Sequence, residues 1–145
     1  DRIAAMAADV CGHADAGATA LREAKYAWAG QLRASGDRDQ ALKFYKELAS
    51  DVKTREGSEA AYYVIEALFE SGDLDKTESE VFAFSDREPN AYWLAKAFLL
   101  LGDVYVRKGD TFQARATYQS VADGYSPADD GIVDEAKERI AKLKN

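Results

Sequence analysis

The sequence has one cysteine and one histidine, Cys11 and His13, and this scarcity limits the chemistry that it can support. A single cysteine cannot form a disulfide within the chain, so cysteine usage leaves the redox compartment open. A four-coordinate zinc site needs further ligands that nothing near Cys11-Gly12-His13 supplies. A loop between helices is therefore favoured over a metal site or a Cys–His catalytic pair. We predict no metal and no cofactor.

Basic residues are also few, with 19 Lys and Arg against 26 Asp and Glu, a net charge of −7. A surface that follows a phosphate backbone needs clustered basic side chains, so we expect no nucleic-acid partner. The most apolar stretch, residues 91–106, is interrupted by Lys96, Gly102 and Asp103. It falls short of the roughly 20 apolar residues of a membrane span, so we expect no direct membrane insertion by this segment.

Proline, strand patterns and phosphate-binding loops are sparse as well. The chain has two prolines and no run of β-branched residues bounded by turn signals. Gly102 and Gly109 lack the Lys and Ser or Thr that complete a phosphate-cradling loop. The many Ala, Leu, Glu and Lys residues favour helices, and 47% hydrophobic residues suffice for a core. The sequence predicts an all-α fold in a single domain, residues 1–145.

One tripeptide pattern occurs three times, each time between two helix-like runs. It stands at Ser35-Gly36-Asp37, Ser71-Gly72-Asp73 and Lys108-Gly109-Asp110, so the glycines are 36 and 37 residues apart. Glycine can adopt the left-handed conformation that ends a helix, and the aspartate can cap the next helix. A near-constant period with one turn per unit is typical of a helical-hairpin solenoid.

The residues around these turns keep the same order of sizes in successive units. The third unit has Leu101-Gly102, Tyr105, Ala114 and Tyr118, the first has Trp28-Ala29, Leu32, Ala41 and Tyr45, and the second has Val64-Ile65, Leu68, Thr77 and Val81. In this order the sequence resembles the tetratricopeptide repeat family, although Ile65 and Thr77 occupy positions where that family has small residues. The resemblance implies a right-handed α-solenoid of antiparallel helix hairpins, about three units plus flanking helices.

The predicted domain comprises five segments. These are a helix from a preceding repeat at 1–12, repeat units at 19–50, 56–87 and 90–125, and a capping or next-repeat helix at 130–144. We interpret the chain as part of a longer array. Its string Trp93-Leu94-Ala95-Lys96-Ala97-Phe98 resembles bacterial cell-envelope members of the family, which favours a periplasmic or cell-envelope location, with a cytoplasmic one as the alternative.

The resemblance also implies a concave groove that is lined by the first helix of each hairpin and binds a partner protein or peptide. The residues that the family offsets place there are Tyr26, Arg33, Tyr62, Glu66, Phe69, Lys96, Leu99, Asp103, Val106 and Arg107. They combine aromatic anchors with charges of both signs, which is typical of peptide-recognition surfaces. The alternative is that Tyr62, Phe69 and Leu99 pack against the next hairpin.

Some tetratricopeptide proteins bind acidic C-termini of chaperones through a clamp of two Lys, two Asn and one Arg. The matching positions in this sequence are Tyr26, Gly30, Tyr63, Lys96 and Leu100, and among them Lys96 alone agrees. This ligand class is therefore not expected here.

The predicted function is a non-catalytic scaffold or adaptor that binds a partner on the concave face. A first alternative is a structural spacer or self-association module, which would form a homodimer that buries Tyr62 and Phe69. A second is the non-catalytic part of an enzyme whose active site lies outside this chain. The acidic pairs, such as Asp129 and Asp130, are interpreted as helix caps rather than as catalytic or calcium-binding groups.

Overall fold

A computed structural model describes residues 15–143 of the chain, and within this range the protein consists of α-helices joined by short turns. The helices are α1 Asp15–Ala34, α2 Arg38–Leu48, α3 Arg55–Glu70, α4 Leu74–Asp86, α5 Ala91–Arg107, α6 Thr111–Gly124 and α7 Ile132–Lys142. The all-α prediction is confirmed for these residues. The predicted helix at 1–12 and the Cys11-Gly12-His13 triplet lie outside them.

The three repeated tripeptides form the same turn. Gly36, Gly72 and Gly109 have positive φ angles of 92°, 87° and 79°. At each turn the N–H of the following aspartate donates to a carbonyl five residues earlier, from Asp37 to Leu32 at 2.9 Å, from Asp73 to Leu68 at 3.2 Å and from Asp110 to Tyr105 at 2.9 Å. This is the Schellman arrangement, which pairs carbonyls that the helix end would otherwise leave unsatisfied.

The same aspartates begin the next helices. The carboxylate of Asp37 accepts from the Gln40 N–H at 3.3 Å, and that of Asp110 accepts from the Gln113 N–H at 3.0 Å. Asp73 accepts in the same way from Lys76 at 3.2 Å. Each tripeptide therefore ends one helix and caps another, as its sequence predicts.

By its contacts the chain divides into two compact units, one ending at Val64 and the other beginning at Ile65, within α3. The sequence predicts one domain. Each hairpin of a repeat protein contacts chiefly its neighbours, so the contacts of such a protein fall into groups along the chain. In the first unit α1 packs on α2. Small residues at the centre of this contact are buried, with Ala29 at 0% and Ala41 at 2% exposed. The same buried cluster also contains Tyr45, Leu48 and, from α3, Ala60.

In the second unit the helices pack in chain order. α4 contacts α5, α5 contacts α6, α6 contacts α7, and α5 also contacts α7. This sequential packing is typical of an α-solenoid. At the α5–α6 contact a Cβ atom on Gly102 would lie only 2.2 Å from the Tyr118 ring, so only glycine lets these helices approach so closely.

The aromatic residues divide between core and surface. Tyr62 and Phe84 are buried, whereas Phe82 and Phe112 are 46% and 84% exposed. Tyr92 and Trp93 contact each other edge to face, with ring centroids 5.1 Å apart. Among the helices of residues 15–143, none combines the length and the apolar character that a membrane span requires.

Candidate functional site

The second unit contains a cavity of about 400 Å³ that collects four of the ten predicted groove residues. Its lining is formed by Phe69 from α3, Asp103, Val106 and Arg107 from α5, Tyr118 from α6, Arg139 and Lys142 from α7, and Leu143 just after it. Four helices thus converge on one surface. We define these eight residues as the α7 cavity.

An arginine and a phenylalanine form one wall of the α7 cavity. The guanidinium carbon of Arg107 lies 4.1 Å from the centroid of the Phe69 ring. At this distance a cation is attracted to the negative face of the ring. Val106 is 45% exposed beside this pair and adds an accessible apolar side chain.

Asp103 is held in place by two partners on other helices. The Tyr118 hydroxyl donates to its Oδ1 atom at 2.5 Å, and the Nε atom of Arg139 donates to the same oxygen at 3.1 Å. Burial, together with the Asp103 carboxylate, raises the pKa of the Tyr118 hydroxyl, which therefore remains a donor at neutral pH. Asp103 thus joins α5 to α6 and α7 and fixes the position of Arg139.

The charge of the α7 cavity is opposite to that of the chain. Arg107, Arg139 and Lys142 contribute three cations against the one carboxylate of Asp103, whereas the whole chain carries a net charge of −7. Arg139 and Lys142 are absent from the predicted groove residues. They lie in the last turn of α7, and the sequence indicates only that this helix is amphipathic.

Tyr26 and Arg33 lie in the first unit, where each contacts another side chain. The Tyr26 hydroxyl donates to the two Glu59 carboxylate oxygens at 2.9 and 2.8 Å. Burial, followed by this hydrogen bond to Glu59, raises the pKa of Tyr26 to about 12. The Arg33 guanidinium lies over the Tyr63 ring, 4.0 Å from its centroid. Both side chains therefore already serve contacts within their own unit.

The four other predicted residues lie elsewhere. Leu99 is 2% exposed and Tyr62 is 8% exposed. Leu99 is buried because α5 packs against α4, α6 and α7. Burial of this degree leaves little surface for a partner, so we exclude Leu99 and Tyr62 from the candidate site. Lys96 approaches Glu135 of α7 at 3.9 Å, and Glu66 is half-buried on α3.

A second cavity of about 320 Å³ lies between α5 and α6. Small and apolar side chains such as Leu94, Phe98 and Val121 form most of its lining. It contains none of the predicted groove residues. Within residues 15–143, no group of three His, Cys, Asp or Glu side chains is placed to hold a metal ion.

Residues 96–126 match the family model described as Tetratricopeptide repeat. The match includes most of α5, the Gly109 turn and all of α6, which is the third predicted unit. A search of curated proteins finds no match to the chain. This match confirms the resemblance to the tetratricopeptide repeat family for the third predicted unit.

Proposed function

Because residues 96–126 match the model of the tetratricopeptide repeat family, we propose that the protein is a non-catalytic scaffold whose partner protein docks at the α7 cavity. Repeats of this family generally mediate protein–protein interaction. The observation that carries the proposal is that Phe69, Asp103, Val106 and Arg107, predicted from two different repeats, line one cavity.

The α7 cavity has the composition of a recognition surface. An exposed valine and a phenylalanine can anchor an apolar side chain, and arginines provide rigid, directional hydrogen-bond donors. The predicted residues of the first unit are less suited to a partner, because Tyr26 bonds Glu59 and Arg33 stacks on Tyr63. We therefore assign partner docking to the second unit.

Site-specific photocrosslinking tests this proposal. Cys11 is replaced by serine, and a single cysteine that carries a benzophenone label is introduced either as Val106→Cys or as Phe112→Cys. Both native side chains are exposed, at 45% and 84%, but Val106 alone lines the α7 cavity. Each labelled protein is irradiated in a lysate of the cells that make it.

We expect a discrete adduct from the label at position 106 and none from position 112, and mass spectrometry identifies the partner in it. An adduct that forms equally from both positions, or from neither, would contradict docking at the α7 cavity. Self-association, a spacer role, an active site elsewhere in a longer protein, a bacterial origin and an envelope location stay predictions from the sequence.

A further inference from the structure

We propose that the partner segment recognised by the α7 cavity is acidic and apolar, with carboxylate side chains on either side of an apolar side chain. This inference rests on the proposed function and specifies the chemistry of its ligand. It follows from the charge of the cavity, from its apolar lining and from the hydrogen bonds that the cavity residues already make to one another.

The α7 cavity has more cations than its single carboxylate, Asp103, can neutralise. Asp103 accepts from Arg139 and Tyr118, whereas the Arg107 guanidinium makes a ring contact with Phe69 and a long hydrogen bond of 3.5 Å to its carbonyl. A guanidinium over a ring keeps N–H groups at its edge that can bind a carboxylate in a bidentate manner. Lys142 is exposed at the end of α7 and adds a second cation, on a flexible side chain.

The net negative charge of the chain does not prevent an acidic segment from binding. At physiological salt the Debye length is about 8 Å, so distant surface carboxylates are largely screened and the nearby cations dominate. A basic segment would meet Arg107, Arg139 and Lys142 directly. Charge complementarity therefore selects a segment with carboxylates.

The apolar part of the cavity requires an apolar side chain in the same segment. Phe69, Val106 and Leu143 line it together with the cations. A few residues usually dominate a binding interface, among them large side chains that fill pockets and arginines. A nucleic-acid strand fits less well, because Arg107 already covers a face of the Phe69 ring that a base would stack upon.

The residues that carry this inference differ from those of the carboxylate clamp considered above. Among the clamp positions Lys96 alone matches, and its ammonium group lies near Glu135. The α7 cavity instead has cations from α5 and α7. These cations are spread around an apolar lining and do not converge on one point. Side-chain carboxylates of an internal segment fit this distribution better than one terminal carboxylate.

A peptide selection tests the inference on the full chain. A library of random heptapeptides, displayed within a host loop so that it has no free carboxylate, is selected against the wild-type protein and two charge variants. The first variant is R107E/K142E, which reverses two cavity cations. The second is K76E/K137E, which makes the same change in net charge at exposed residues outside the cavity. Circular dichroism verifies that each variant is helical.

We expect the wild type and K76E/K137E to enrich peptides with Asp or Glu around an apolar residue, and R107E/K142E to lose them. A synthetic copy of the most enriched peptide, with blocked ends, should bind R107E/K142E at least about tenfold more weakly, as expected when an interface contact of hot-spot size is lost. Its affinity should also fall as salt rises, because the contacts are ionic.

Other outcomes separate the inference from the proposed function. The enriched peptides are also tested against V106E, which places a charge in the apolar lining. Peptides that lose binding in V106E but have no acidic excess would overturn the inference and leave docking at the α7 cavity intact. Acidic peptides that bind R107E/K142E as well as wild type would also overturn it. If no enriched peptide loses binding in V106E or in R107E/K142E, both proposals fail. A labelled oligothymidine that binds more tightly than the best peptide would overturn the acidic-peptide assignment in favour of nucleic acid.

Discussion

A series of three contacts connects Gly102 of α5 with Arg139, one of the cations of the α7 cavity. Gly102 leaves room for the Tyr118 ring, the Tyr118 hydroxyl bonds Asp103, and Asp103 bonds Arg139. The absence of a Cβ atom at Gly102 therefore makes room for the tyrosine that bonds the same carboxylate as Arg139. The packing of α5 on α6 at Gly102 is therefore coupled to the α7 cavity.

We predict that Gly102→Ala destabilises the protein, because its Cβ would meet ring atoms of Tyr118 at 2.2, 2.5 and 2.7 Å. Overpacking of this kind costs typically about 1–3 kcal/mol. Gly30→Ala is the matched control, since a Cβ on Gly30, also within a helix, would have nothing within 4 Å. It should be neutral or stabilising by up to about 1 kcal/mol. Urea unfolding followed by circular dichroism measures both, and equal midpoints for the two variants would contradict the close approach.

The Gly-Asp turns that join the helices are encoded by residues adjacent in sequence. The conformation of Gly36, Gly72 and Gly109 and the caps from the following aspartates depend on residues adjacent in sequence, so the tripeptide alone predicts them. The small residues Ala29 and Gly102 are predictable for the same reason, because their spacing from the turn is fixed.

The α7 cavity depends on tertiary packing and is only partly predictable. The family offsets identify Phe69, Val106 and Arg107 on α3 and α5, but they cannot show that the last turn of α7 supplies Arg139 to the same cavity. The offsets also place Leu99 in a groove, whereas the packing of α5 against three helices buries it. Helix periodicity predicts which residues share a face, but the neighbouring helices decide whether that face is open.

Away from the cavity, α4 and α5 are joined by a polar cluster. The Tyr105 hydroxyl donates to Glu78 at 2.6 Å, and the Lys108 ammonium donates to Asp75 at 2.6 Å and to Glu78 at 3.0 Å. The Tyr105 hydrogen bond, followed by that from Lys108, lowers the pKa of Glu78 below its ordinary value of 4.5. These contacts favour the folded state as long as Glu78 is ionised.

We predict that this cluster contributes to acid sensitivity. A carboxylate with a depressed pKa in the folded state stabilises the protein above its unfolded pKa, and this stability is lost as pH falls. Wild type should therefore lose stability more steeply than Glu78→Gln between about pH 5 and pH 3, by less than about 1 kcal/mol because the cluster is partly exposed. Glu80→Gln on the same helix is the control. Parallel pH profiles for wild type and Glu78→Gln, from urea unfolding, would contradict the prediction.

The whole chain is acidic, but its candidate binding surface is basic. With 26 acidic residues against 19 basic ones, three cations around one small cavity form a local exception. A net charge away from zero maintains solubility, while short-range contacts at the cavity determine which segment binds. The overall charge therefore favours solubility, and the α7 cavity provides the selectivity that we propose.

The most direct test of docking at the α7 cavity measures the affinity of the crosslinked partner for V106E and for F112E by isothermal titration calorimetry. Both variants place a carboxylate at an exposed apolar position, but Val106 lines the α7 cavity. We predict that V106E weakens binding at least about tenfold, which corresponds to about 1.4 kcal/mol, and that F112E binds like wild type. Equal affinities for V106E and wild type, with both proteins folded, would contradict the claim that the partner docks at the α7 cavity.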